Sequence, residues 1–146
     1  MPGNHLPSAS TRGIIARLGA PPRVEALGPI GARFVHALRL IALCERAGCD
    51  PVPELAVQLG GVEIAAKALI LAQSISACWP ENIYVSRFCC RLLSHDEATI
   101  GAMVDAAARG DRGGFEAVLG GLIRPERWHR LWEGALALVA AEMRAA

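Results

Sequence analysis

The chain is short of aromatic rings, of lysine and of net charge, and each shortage narrows what it can be. Aromatic residues are 5% of the 146 positions, so an apolar content of 53% is carried mostly by Ala, Leu, Ile and Val. Fifteen basic residues against 14 acidic ones give a net charge of +1, which supplies no field to draw nucleic acid or an anionic membrane. Lys67 is the one lysine and every other basic side chain is Arg or His. With abundant Ala and Gly, that preference reads as the coding bias of a GC-rich genome, and a bacterial source is expected.

No apolar run is long enough to cross a bilayer. The most hydrophobic stretch, Ile64 to Trp79, contains Lys67 and falls short of the roughly 20 residues a spanning helix needs. Its Ala, Leu and Ile fall on every side of a helical wheel, so Val62 to Trp79 is expected to be a central core helix. The N-terminus carries Pro2, Asn4, His5 and Pro7 where a secretory signal would place an apolar run. Five cysteines, an odd number, stand in or beside apolar helical stretches. Buried free thiols in a reducing cytoplasm are the expectation.

What is present is a succession of helical patterns with clear punctuation. Residues 1–29 hold five prolines among Gly, Ser and Thr and read as a flexible N-terminal arm, with one two-turn helical island over 11–18. A single helical domain is expected over 30–146. Phe34, Val35, Leu38 and Ile41 recur at helical spacing, with Arg33, His36, Arg39 and Arg46 assigned to the surface, and Gly48 is the stop. A short helix begins near Pro53 and breaks at Gly60-Gly61. The period of Tyr84, Val85, Phe88, Cys89, Leu92 and Leu93 predicts a further helix over 83–93. Ser94-His-Asp-Glu97 has the spacing of a capping box. Gly110 and Asp111 mark the next boundary, and Pro125 opens a last helix with Trp128, Leu131, Trp132, Ala135, Leu136, Val139 and Met143 on one face. A Glu63–Lys67 pair is expected near the start of the central helix.

From Glu54, the run ELAVQLGGVEIAAKAL resembles the DNA-binding helix-turn-helix motif: Ala56 and Gly60 match its small residue and its turn glycine. The resemblance implies a DNA-binding regulator using residues 54–69. Gly61 departs from the pattern, standing where an apolar residue is usual. The second helix offers Val62, Glu63, Ile64 and Lys67 where base reading calls for Arg, Asn, Gln or Ser.

Sites with chemistry are weakly marked. Glu126 and His129 form one Glu-x-x-His step, and a di-iron site needs two of them plus two further Glu. The Cys and His residues show no CxxC or HxxxH spacing, so no metal and no cofactor is expected. Gly113-Gly114 and Gly120-Gly121 match no phosphate loop, and no nucleophile stands beside a base. On the expected 83–93 helix, Arg87, Arg91 and His95 stand at i, i+4 and i+8 and lead into the Ser94 cap. They are the candidate surface for an anion or an acidic protein partner.

These readings add up to an all-α fold of five or six helices in a compact array around the helix at 62–79. Excess apolar surface on so small a chain points to self-association, so a non-enzymatic homodimeric interaction or regulatory protein is the preferred function. The alternatives are the helix-turn-helix regulator, and a helical enzyme or small-ligand carrier with a pocket near His36, His95 or His129. Nucleic acid is not expected as a partner, and no membrane span is expected.

Overall fold

The computed structural model describes residues 22–146. The helical island expected over 11–18 lies outside the described residues. Among these residues six α-helices follow one another: α1 (Pro29–Ala47), α2 (Val52–Leu59), α3 (Val62–Cys78), α4 (His95–Ala108), α5 (Arg112–Leu119) and α6 (Pro125–Ala145). The all-α class and the helix number follow the sequence pattern, and so do most boundaries. Pro29, Pro53 and Pro125 stand in the first turns of α1, α2 and α6, where the missing N–H would be unpaired anyway. Gly48 and Gly60 close α1 and α2 with φ of 70° and 87°, in the left-handed region that favours glycine. The Ser94 capping box forms with both reciprocal bonds, and the Asp111 carboxylate accepts from the Gly114 N–H.

Gly60-Gly61 turns the chain by 117° between α2 and α3. Among the described residues no single helix is long and apolar enough to cross a membrane. α3 packs along α6 and against α1 and α2, while α4 packs against α1, α5 and α6. Ile64, Ala65, Ala68, Leu71 and Ile75 of α3 share one apolar cluster with Leu131, Ala135 and Leu138 of α6. Phe34 of α1, Leu55 of α2, Ile100 and Met103 of α4 and Phe115 of α5 belong to it as well. α1 and α4 cross closely where both carry glycine: a Cβ on Gly31 would stand 2.8 Å from the Gly101 carbonyl oxygen. Beside that crossing, Asp105 accepts from the Gly28 N–H at 2.9 Å.

Four local expectations are corrected. Met143 is 64% exposed and Leu138 takes the buried place, because the packed edge of α6 follows Leu131, Ala135, Leu138 and Val139. Glu63 pairs with Arg144 of α6 rather than with Lys67, since α6 lies alongside α3 and brings a guanidinium within reach. Of the cysteines, Cys44 and Cys78 are buried, but Cys49 and Cys89 are exposed and Cys90 is half-buried. Finally, no helix forms over 83–93. This stretch is irregular, and its backbone is bonded by the side chains of Arg39, Asp96 and Glu97.

Candidate functional site

Arg39 was expected on the surface of α1 and is instead 1% exposed. Its guanidinium meets Glu97, itself fully buried, through Nε to Oε2 at 2.7 Å and Nη2 to Oε1 at 3.0 Å. This is the two-pronged geometry that makes arginine–carboxylate pairs strong and directional. The remaining N–H groups donate to main-chain carbonyls of the irregular stretch: Nη1 to Cys90 at 2.5 Å and Phe88 at 3.5 Å, and Nη2 to Leu92 at 3.0 Å. In a helix over 83–93 the Phe88 carbonyl would find a partner four residues on, whereas those of Cys90 and Leu92 would lie in the last turn with none. Arg39 thus satisfies three carbonyls of a stretch that runs as an irregular loop with a turn at 88–89.

Glu97 completes the other half of the clasp. Its carboxylate accepts from the N–H groups of Ser94 at 2.8 Å and Ser86 at 3.3 Å, so the capping-box residue also anchors the loop. Burial alone would raise the Glu97 pKa, but the Arg39 and Ser94 hydrogen bonds, the Arg39 charge and the Ser86 bond outweigh it and hold the carboxyl below its ordinary range. Asp96, next in the same helical turn, accepts from the Tyr84 N–H at 2.8 Å and from the Trp79 indole at 3.2 Å. Ser94 donates its hydroxyl to the Tyr84 carbonyl at 2.6 Å. Upstream, the Val24 N–H donates to Arg91 O and the Leu93 N–H to Pro22 O, which ties residues 22–24 to the far side of the loop.

With its backbone held from beneath, the loop turns its side chains outward. Tyr84 is 72% exposed and Phe88 41%, and Arg87, Cys89, Arg91 and Leu92 are exposed beside them. The three residues singled out from the sequence, Arg87, Arg91 and His95, are all exposed. The first two lie on the loop and the third opens α4, so the helical i, i+4, i+8 row does not exist. Tyr84 and Phe88, which recur at helical spacing in the sequence, stand on this loop instead of on a helix. The signal that would have exposed the error is the placement of Arg39 one turn after Val35 and one turn before Ala42, inside the apolar arc of α1.

A groove of about 410 Å³ lies beside the loop, lined by Leu27, His36, Phe88, Cys89 and Arg91 among others. The Phe88 ring meets the half-buried His36 imidazole edge-on at 6.4 Å. Burial, followed by the nearby Arg39 charge, pushes the His36 pKa below 6.5, against an upward pull from Glu97. Titration followed by NMR should therefore give a His36 midpoint under 6.5, and Phe88→Ala should move it back up by removing cover. Because the folded value is lowered, His36 costs stability as the pH falls from 6.5 toward that value. A midpoint above 6.5 would contradict this packing.

On the opposite flank of the loop, Glu45, Gln73, Ser76 and Asn82 rim a cleft of about 460 Å³ between α1 and α3 whose floor is apolar. None of the three histidines expected to mark a pocket lines it. Among the described residues, no three His, Cys, Asp or Glu side chains gather in a way that could hold a metal ion. No known family, curated protein or solved structure matches the chain.

Proposed function

We propose that the protein is a non-enzymatic interaction protein that self-associates through the outward face of the loop over 83–93. The observation that carries this reading is the clasp: a loop bearing Tyr84, Arg87, Phe88 and Arg91 is held in one conformation by a buried ion pair. Aromatic and arginine side chains dominate the energy of protein contacts. A surface ordered before binding loses less entropy when it docks. The second copy as occupant is supported by the apolar surplus, a mean hydropathy of +0.33 on a chain of 15.4 kDa. A reducing cytoplasm belongs to the same proposal.

Light scattering at tens of micromolar should return twice the 15.4 kDa chain mass. Tyr84→Asp and Phe88→Asp should each return the single-chain mass with the helical circular dichroism unchanged. A wild-type mass of one chain would overturn self-association.

The exposed basic groups Arg87, Arg91 and His95 favour a second reading, an acidic protein partner on the same face. The helix-turn-helix reading has less support, because Ile64, Ala65 and Ala68 are in the core and Glu63 is engaged by Arg144. The carrier reading rests on the cleft between α1 and α3.

A further inference from the structure

The turn that ends α1 brings two thiols together. The Cys49 N–H donates to the Cys44 carbonyl at 3.0 Å and the Gly48 N–H to the Glu45 carbonyl at 3.2 Å, with Gly48 left-handed at φ 70°. This nested pair of bonds is the Schellman ending of a helix, in which the side chains at the two outer positions touch, usually as an apolar contact. Here both outer positions are cysteine. Cys44 is buried and Cys49 exposed. The neighbouring Cys49 thiol, then burial and the charges of Glu54 and Asp50, push the Cys44 pKa up.

We propose that Cys44 and Cys49 form a redox-active dithiol that closes to an intramolecular disulfide by exchange with low-molecular-weight disulfides. A disulfide needs Cα atoms about 4.4–6.8 Å apart, and two residues joined by their own N–H···O bond are held close enough. The exposed Cys49 thiolate attacks one sulfur of the small disulfide, forming a mixed disulfide and releasing one small thiolate. Cys44 then gives up its proton to solvent and attacks the Cys49 sulfur, expelling the second small thiolate. The protein loses two electrons and two hydrogens, and the small disulfide gains them as two thiols. Asp50 and Glu54 stand near the pair, so a cationic disulfide such as cystamine is the favoured reagent over the anionic glutathione disulfide.

The test is incubation of the full chain with either disulfide, alkylation of remaining thiols, and peptide mapping by mass spectrometry. The expected product is a Cys44–Cys49 link two hydrogens lighter, formed faster with cystamine by several-fold at low salt. Replacing Cys89 and Cys90 with Ser should leave the link intact, and Cys44→Ala should stop the reaction at a mixed disulfide on Cys49. A wild-type chain that keeps Cys44 free while Cys49 stays mixed, or that links Cys49 to Cys89 or Cys90, would overturn the proposal. That mapping needs no variant, so a poorly folding substitution does not blunt it.

Discussion

Glu97→Ala is expected to cost about 3–5 kcal/mol, the usual loss when one partner of a buried ion pair is removed and the other charge stays behind. Urea unfolding followed by circular dichroism measures it. For a small domain that is a large share of the total stability, and the loop should show it first, as fast hydrogen exchange over 83–93. In many proteins, replacing both partners with apolar side chains recovers the loss. Here it should not. Arg39 also serves the carbonyls of Cys90 and Leu92, and Glu97 serves the N–H groups of Ser86 and Ser94. Arg39→Met with Glu97→Leu would remove the charges and still orphan those backbone groups, each costing about 1–3 kcal/mol if buried. Full recovery of stability in the double variant would show that the clasp holds no backbone.

The same pair sets an acid limit. A carboxylate whose folded-state pKa is depressed contributes stability above its unfolded value, near 4.5 for glutamate, and that contribution is lost as the pH falls through the lowered folded value. Stability should therefore drop below about pH 4.5, and Glu97→Ala should flatten that part of the curve.

The second large effect is expected at the α1–α4 crossing. Gly31→Val should destabilise by about 3 kcal/mol, the upper end of ordinary overpacking. The new Cβ would lie 2.8 Å from the Gly101 carbonyl oxygen, and main chain inside a helix cannot step aside. Gly101→Ala is the contrasting control. Its Cβ would meet the Leu27 side chain at 2.6 Å, and a leucine end can rotate away. Adding a methyl there should cost much less, because alanine also gains about 1 kcal/mol of helix preference over glycine. Arg39 lies two turns beyond Gly31, and Glu97 one turn before Gly101. Forcing the helices apart thus stretches the ion pair, and Gly31→Val combined with Glu97→Ala should cost less than the sum of the two. Equal losses for Gly31→Val and Gly101→Ala would contradict the crossing.

Legibility from the sequence followed the range of the interactions involved. Gly48, Gly60, Ser94, Asp111 and Pro125 act on their own helix ends, and each did what its local chemistry implies. The stretch over 83–93 has a helical period, yet its backbone partners, Arg39, Asp96 and Glu97, stand outside it. Periodicity reports which side chains share a face, and it carries no information about charged side chains elsewhere in the chain that bond the backbone. Glu97 was read as a cap because that role is local. Its second role needed Arg39 in three dimensions. Arg87, Arg91 and His95 are exposed, but the row that joins them in the sequence depends on the missing helix. Tyr84 and Phe88 belong to the same absent helix.

Arg39 grips the loop by main-chain oxygens, which every amino acid possesses. The shape of that segment is therefore largely independent of the letters written on it. Residues 84, 87, 88, 89 and 91 could be exchanged widely while the backbone kept its course, so new recognition could arise there at little cost to folding. A library randomised at those five positions and grafted on this unchanged clasp would behave as a small helical scaffold with one variable loop.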